Sequence, residues 1–495
     1  MTFSKLKAWE IAQGYRNRDF SCEEVTREFL DNIKEKDKEI NAYITVTEEL
    51  ALKKAKEVDE KFHNREEMSP LAGIPISIKD NISVKNVKMT CGSRMLENYI
   101  SPYDATLVKK IKDNDGVILG KVNLDEFAMG ASTRTSYFGV TKNPLDITRV
   151  SGGSSGGSAA SVSANMAAIS IGSDTGGSVR QPSSFCKTVG MKPTYGSISR
   201  FGMASMANTF DQPGVIANDV RDLTIMFNVI EGRDERDATS VGNPGLNFDF
   251  DFSDDAIKNL EGKKFAIPKT YLEMDLNERV RSELEKAIEI LRDNGAQVDE
   301  YDIESLNHTI ETYNILVNGE IASNLARFDS IRYGHRTDKK FETIEEMYRA
   351  SRSEGFGDEV KRRIMIGTNI LSMDNAEEFY YKALKVRGLI KRDMDRMFKD
   401  YDFMLCPTFP VLPLKIDDNV SPVEAYQADL FTIPANMVGS PSISLPMPAG
   451  QDGLSIGIEF TGKRFKDKDL LQASLAFERS LNKWDIKQLW DWKFT

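Results

Sequence analysis

Three short stretches of this 495-residue chain combine hydroxyls, a lysine and glycines in a pattern suited to acyl transfer. They are GIPISIKDN (Gly73–Asn81), SGGSSGGS (Ser151–Ser158) and GSDTGGS (Gly172–Ser178). Ser178 follows two glycines, just after AISIGS, a run that reads as a buried strand. Glycines let the backbone approach a substrate closely and aim successive N–H groups at one spot. Such groups stabilise the oxyanion of a tetrahedral intermediate, usually the largest contribution to acyl-transfer catalysis. Ser178 therefore has the setting of a nucleophile, although not in the GxSxG elbow of α/β-hydrolases.

A serine nucleophile needs a base. The chain has three histidines, His63, His308 and His335, and none lies near the glycine clusters in sequence. Lysine serves when burial disfavours its ammonium form. Most lysines here decorate charged helices, whereas Lys79 ends an apolar strand pattern. Ser154, in the other glycine turn, could relay a proton between Lys79 and Ser178. Two rival readings exist for the glycines. A phosphate cradle would need Lys and then Ser/Thr after its last glycine, but Ser158 and Ala159 follow Gly157, and GxGxxG is absent. Tight turns that only pack against each other are the other.

These residues need elements to hold them. Ile74, Ile76 and Ile78 alternate with Pro75, Ser77 and Lys79, a strand pattern. Residues 103–115 read as a helix, and VILGKVN after Gly116 as a strand. This β-α-β order favours a mostly parallel sheet. SAASVSANMAAIS, from Ser158, reads as a helix of small residues able to pack close to a sheet. The first 60 residues show helical spacing, with Ser21 and Glu24 as a capping box. KKFAIPK and AQVDEYDI read as strands around the helix NERVRSELEKAIEILRDNG, with Gly295 at its end. FMLCPTFPVLPL, SPSISLPMPAG and SIGIEFTG return to strand patterns before a closing helix, DLLQASLAFERSL. The expected organisation is one α/β domain over 1–495. It has a helical part at about 1–65, a catalytic core at about 66–220 and a helix-rich excursion at about 301–400. The stretch 235–255 reads as a surface excursion.

Composition narrows the class. A net charge of −11 argues against a broad basic face for nucleic acid. Four scattered cysteines, Cys22, Cys91, Cys186 and Cys406, without a CxxC pair, argue against a disulfide framework or a cysteine zinc site. They fit reduced thiols in a cytosolic protein. No run resembles a signal peptide or a membrane span.

The runs GGSSGGSAA and GSDTGGSVRQPSSFC, with GIPISIKDN upstream, resemble the amidase signature family. That resemblance implies one large α/β/α domain around a mixed sheet, and a Ser-cisSer-Lys triad. Ser178 would be the acylated nucleophile. Ser154, after a cis peptide, would bridge, and Lys79 would be general base and then acid. The N–H groups of Thr175, Gly176 and Gly177 would form the oxyanion hole. KVNLDEFAMGAST, IASNLARFDSIRYGHR, GFGDEVKRRIMIGT and YQADLFTIPANMVGSPSISLP resemble one branch of the family, the glutamine-hydrolysing subunits of bacterial tRNA-dependent amidotransferases. By that resemblance Arg363 and Asp429 hold the α-carboxylate and α-ammonium of glutamine, with Tyr313 beside them. Arg362 is the alternative to Arg363. The chain itself would need no cofactor or metal. A partner subunit would use ATP and magnesium and bind Glu-tRNA(Gln) or Asp-tRNA(Asn). A small third subunit would complete a cytoplasmic heterotrimer, and no membrane would be involved. Departures from the branch pattern occur at Arg134, Leu145, Ser151, Asn318 and Gly319. The rival functions are a stand-alone amidase of the same family and a non-catalytic scaffold.

Overall fold

The computed structural model describes residues 2–241, 252–418 and 428–491. Its centre is an eleven-stranded mixed sheet. In chain order the strands are β1 (Tyr43–Val46), β2 (Pro75–Lys79), β3 (Val117–Val122), β4 (Lys142–Asn143), β5 (Asp146–Val150), β6 (Ile169–Asp174), β7 (Val189–Lys192), β8 (Gln212–Ala217), β9 (Lys264–Pro268), β10 (Gln297–Tyr301), β11 (Phe403–Pro407), β12 (Ser442–Pro446) and β13 (Gly457–Gly462). The order across the sheet is β1-β3-β2-β6-β8-β7-β12-β13-β11-β9-β10, while β4 and β5 form a separate ribbon. β2 runs parallel to both β3 and β6. The expected β-α-β unit is therefore present, with helix Thr106–Asp113 as its crossover.

All five residues of β2 are buried, as befits a parallel strand covered on both faces. The isoleucines face one apolar layer. On the other face, Ser77 Oγ bonds Ser161 Oγ at 2.9 Å and Ser170 Oγ at 2.8 Å. Ser161 belongs to the helix of small residues, which runs Gly156–Ser163. Its expected close approach is realised: a Cβ on Gly157 would sit 2.5 Å from the Asn123 backbone nitrogen. The register pairs Ile78 with Ile171, so Lys79 lies at the carboxyl ends of β2 and β6. Ligand sites of α/β sheets gather at such ends.

The remaining helices form the outer layers. They are α1 (Ala8–Asn17), α2 (Cys22–Ile40) and α3 (Glu48–His63), followed by the crossover α4 (Thr106–Asp113) and the small-residue helix α5 (Gly156–Ser163). Next come α6 (Arg180–Phe185), α7 (Val220–Ile230), α8 (Lys269–Leu272) and α9 (Glu278–Asp293). The excursion holds α10 (Thr309–Leu325), α11 (Ile344–Gly355), α12 (Asp358–Ile370) and α13 (Tyr380–Asp400). The closing helix is Asp467–Asp491. One large apolar core joins the sheet to α2, α7, α9 and the closing helix. A second core lies under α10, α12 and α13. Ser21 caps α2, its hydroxyl accepting the Glu24 N–H at 3.2 Å while Glu24 accepts the Ser21 N–H at 2.8 Å. Gly295 has φ +81°, the left-handed geometry its place after α9 demands.

Three expectations change. The sheet is not mostly parallel: six of its ten strand pairings are antiparallel, because the β-α-β order holds only around β2 and β9 and does not extend across the sheet. The first 60 residues are not uniformly helical: β1 interrupts them and pairs antiparallel with β3 at the sheet edge. Four residues between two helices are too few to show a period of two. β7 and β8, which lie in the middle of the sheet, had no strand pattern assigned to them. Of the stretch 235–255, residues 242–251 lie outside the described residues. The four cysteines are buried and unpaired. Among the described residues no helix is long and apolar enough to cross a membrane.

Candidate active site

Lys79 has no exposed surface. Its Nζ donates to Ser154 Oγ at 2.8 Å, Ser155 Oγ at 2.8 Å and Ser173 Oγ at 2.9 Å. Every partner is a neutral oxygen. Burial pushes the lysine down to about 7, against the more distant pull of Asp125, Asp174 and Asp211. A lysine so poised exchanges protons near neutral pH. Ser154 and Ser155 immediately precede α5, so the helix that packs on β2 also delivers the hydroxyls that receive Lys79.

The peptide Gly153–Ser154 is cis. The glycines around it are required by space. A Cβ on Gly153 would lie 2.1 Å from Asp125 Oδ2, and one on Gly156 would lie 2.2 Å from Thr133 Oγ1. The second turn is equally tight: Gly177 has φ +126°, and a Cβ there would meet Thr432 Oγ1 at 2.3 Å. The two turns are joined by the Ser155 N–H, which donates to Ser178 O at 3.1 Å. Ser154 is fully buried, whereas Ser178 is half-buried and lines a cavity of about 190 Å³. Ser178 Oγ has no hydrogen-bond partner among the described residues.

The turn is anchored by an ion-pair network with no exposed surface. Arg180 Nη2 meets Asp174 Oδ1 at 3.0 Å, and Arg180 Nη1 meets Glu459 Oε1 at 2.5 Å. Burial alone would raise Asp174, but Arg180 holds it well below the usual carboxylate range. Asp174 also accepts the N–H groups of Gly177 at 2.9 Å and Val179 at 3.1 Å. This qualifies the expected oxyanion hole. The Gly177 N–H is committed to Asp174, while those of Thr175 and Gly176, and of Ser178 beside them, have no partner among the described residues.

The opposite wall comes from the helical excursion. Tyr313 on α10 and Arg362 and Arg363 on α12 line the cavity with Asp429. A Cβ on Gly176 would sit 2.4 Å from the Tyr313 hydroxyl, so the tyrosine closes directly over the glycine turn. Arg363 Nε donates to Glu359 Oε1 at 2.6 Å, and Arg362 Nε to Glu359 Oε2 at 3.0 Å. Arg363 is buried, while the Arg362 side chain keeps 33% of its surface. Burial pushes Asp429 up to about 7, with Arg363 pulling against it. The cavity thus offers a hydroxyl floor at one end and opposite charges at the other. None of the three histidines lines it, and His335 instead meets Glu354 at 3.0 Å.

Several residues of the site had no sequence assignment. Ser155 and Ser173 hold Lys79, and each is one more serine within the same two serine-rich runs. Glu359 joins both arginines; its i,i+4 spacing to Arg363 was the available signal. Thr432 Oγ1 donates to Gly176 O at 2.6 Å. Among the departures, Arg134 Nη1 donates to Ile416 O at 3.0 Å and Asp418 O at 2.8 Å. Ser151 Oγ donates to Thr141 O at 3.0 Å. Leu145 is half-buried, Gly319 packs on the Tyr380 ring, and Asn318 Oδ1 is buried without a partner among the described residues.

The chain resembles known proteins along nearly its whole length. The amidase family profile matches residues 24–471. The chain is 46% identical to a glutamyl-tRNA(Gln) amidotransferase subunit of Clostridium botulinum, over 97% of this chain and 98% of the relative. It is 47% identical to a glutamyl-tRNA(Gln) amidotransferase subunit of Clostridium acetobutylicum, over 95% and 98%. The crystal structure of a glutamyl-tRNA(Gln) amidotransferase subunit from Thermotoga maritima superposes with a TM-score of 0.78 at 39% identity, covering 96% of this chain and 95% of that one. With its lysine, its two glycine turns and its mixed sheet, the chain belongs to the amidase family.

Proposed function

We propose that this chain is the glutamine-hydrolysing subunit of a tRNA-dependent amidotransferase. The observation that carries the reading is the cavity itself. A nucleophile-bearing turn faces Arg363 and Asp429 across about 190 Å³, room for one small amino acid amide carrying both α-charges. Similarity to relatives named as amidotransferase subunits supports the same reading.

In this reading Arg363 binds the α-carboxylate and Asp429 the α-ammonium. The side-chain amide is thereby laid over Ser178. The Ser178 side chain turns its hydroxyl to Ser154, and neutral Lys79 then takes a proton from Ser154 as Ser154 takes one from Ser178. The Ser178 oxygen bonds the amide carbon, and the carbonyl oxygen becomes an oxyanion facing the N–H groups of Thr175, Gly176 and Ser178. Gly177, its N–H held by Asp174, fixes the turn that presents them. The Lys79 proton returns through Ser154 to the leaving nitrogen, the C–N bond breaks and ammonia departs. Water, activated by the same lysine, then cleaves the Ser178 ester to glutamate. Ammonia passes to a partner subunit that binds ATP, magnesium and aminoacyl-tRNA, and a small third subunit completes a cytoplasmic heterotrimer.

The test is trapping. A glutamine analogue with an electrophilic side-chain carbonyl should label Ser178, as read by peptide mass spectrometry of the chain co-purified with its partners. A label on another residue overturns the nucleophile. Failure of glutamine, but not of a simple primary amide, to compete with labelling overturns the substrate and favours a stand-alone amidase.

A further inference from the structure

We propose that Glu126 is a positioning residue for glutamine: its carboxylate holds the start of α12, and with it Arg363, in register with the triad. This rests on the reading of Arg363 as the residue that binds the substrate carboxylate.

Glu126 is buried, with 3% of its surface exposed. Its Oε2 accepts the N–H of Gly357, the residue that caps α12, at 2.9 Å. Its Oε1 accepts the Ser93 hydroxyl at 2.5 Å. A Cβ on Gly357 would lie 2.4 Å from Glu126 Oε2, so the glycine is what allows the carboxylate so close to the helix start. A carboxylate there also favours the helix dipole. The neighbouring Phe127 ring packs edge-on against Phe356, with centroids 5.6 Å apart. The segment ahead of α12 is therefore gripped twice, by a polar and an apolar contact from adjacent residues.

The preceding residue, Asp125, faces the chemistry. Its N–H donates to Ser154 O at 3.2 Å. Its carboxylate accepts the N–H groups of Ser132 at 3.1 Å and Thr133 at 2.8 Å, while Thr135 Oγ1 donates to it at 2.9 Å. Thr135 Oγ1 in turn accepts the Glu126 N–H at 3.0 Å. Asp125–Glu126 is thus one dipeptide with two anchors, the Ser154 turn on one side and α12 on the other. Arg363 lies six residues beyond Gly357 on a continuous helix. A shift at the helix start moves the guanidinium relative to Ser178.

The clamp does not depend on ionisation. Burial pushes Glu126 up to about 7. When protonated it can donate to Ser93 Oγ, whose own proton then turns to Gly355 O at 3.3 Å. A hydroxyl can accept two bonds while donating one. A glutamine side chain reproduces this pattern, its oxygen taking the Gly357 N–H and its NH₂ donating to Ser93. Alanine cannot.

The experiment compares Glu126→Ala and Glu126→Gln in the complex assembled with its partner subunits. For Glu126→Ala, KM for glutamine should rise about tenfold with kcat within about twofold, the signature of lost binding. Glu126→Gln should restore KM to within about twofold of the parent. Turnover of propionamide, which lacks both α-groups, should be unchanged in both. Hydrogen exchange of the 355–365 peptide should quicken in Glu126→Ala and not in Glu126→Gln. Unchanged exchange in Glu126→Ala overturns the clamp whatever the substrate. Faster exchange with unchanged KM overturns its role in glutamine binding. Loss of propionamide turnover alongside glutamine turnover shows a general structural role and overturns it too. Should Glu126→Ala not fold, Ser93→Ala takes its place, with a KM rise of about threefold expected and an unchanged KM overturning the proposal. If the parent complex turns over propionamide but not glutamine, the glutaminase reading fails by itself, and exchange still decides the clamp.

Discussion

The floor and the wall of the cavity are built on opposite principles. The floor, made of the ends of β2 and β6 with the two glycine turns, leaves no room for change. Lys79 has three serine hydroxyls around it, and the glycines lie so close to their neighbours that added Cβ atoms would stand 2.1–2.9 Å from other atoms. The wall, made of α10, α12 and the segment around Asp429, uses long side chains on ordinary helices. Arg362 is partly solvated, and one glutamate serves both arginines. The contrast marks where chemistry ends and specificity begins. Proton transfer between three fixed atoms tolerates little displacement. Recognition of two charged groups needs only charges held at the right separation. A family can therefore keep one floor and change its wall to suit other amides.

The largest effects should come from breaking the floor, and they should ignore the substrate. Ser178→Ala and Lys79→Ala should each lower kcat by at least about a thousandfold, and the double variant should be little worse, since residues acting as a unit are not additive. Lys79→Arg should stay inactive because arginine cannot serve as a base near neutral pH. Glutamine and propionamide should lose turnover alike. Substantial activity in Lys79→Arg would reduce the lysine to an electrostatic prop. Ammonia supplied directly should still sustain tRNA amidation by the complex, since the proposed function assigns that step to a partner subunit.

How legible each region was in sequence follows from the same contrast. The floor advertised itself because close packing and the φ of +126° at Gly177 admit only glycine, and so leave a glycine-serine signature. Lys79 was legible because a lysine ending an apolar strand is out of place. The Asp174–Arg180–Glu459 network was not, since an arginine in SVRQP looks like any surface arginine until the fold buries it. The wall was nearly invisible to residue-level reasoning. Arg363 in EVKRRI has the look of a solvated helix face, and only the family resemblance singled it out. The sheet was legible strand by strand at β2, β3, β6 and β9 to β13, but its direction was not: a β-α-β order near β2 says nothing of the antiparallel neighbours that follow β6. Strands were missed at β1, a four-residue edge strand between helices, and at β7 and β8, whose Gly and Pro content masks a buried strand. There tertiary context overrides local preference.

Wall variants should discriminate between substrates where floor variants do not. Asp429→Asn replaces the proposed acceptor for the α-ammonium by a neutral amide. A charge-assisted hydrogen bond of about 1.5–3 kcal/mol is weakened, so kcat/KM for glutamine should fall roughly ten- to a hundredfold. Arg363→Ala should do the same through the carboxylate. Propionamide turnover should not change in either. If Asp429→Asn handles glutamine like the parent, the zwitterion pocket is misplaced.

The pH profile separates the two regions within one enzyme. Burial holds both Lys79 and Asp429 near 7. In the proposed function catalysis needs Lys79 deprotonated and ammonium binding needs Asp429 ionised, so both requirements fail as pH falls through about 7. The acid limb of log kcat/KM for glutamine should approach a slope of about two, because two protons bind. For Asp429→Asn it should be about one, with the surviving break belonging to the floor. Propionamide should give about one in both enzymes. A slope of one for the parent with glutamine would remove one of the two groups from the reaction.

The smallest effect tests the register of the wall. Arg362 and Arg363 are adjacent and share Glu359, so sequence alone could not choose between them. Their surroundings do. The Arg363 side chain retains 8% of its surface and the Arg362 side chain 33%. Solvent screens a partly exposed pair, and such pairs are worth about 0–1 kcal/mol. Arg362→Ala should therefore raise KM for glutamine by no more than about fivefold, against ten- to a hundredfold for Arg363→Ala. Steady-state KM for the two variants decides the matter. Equal losses would mean that both guanidiniums grip the carboxylate. A larger loss at Arg362 would move the carboxylate site from the buried guanidinium to the partly exposed one.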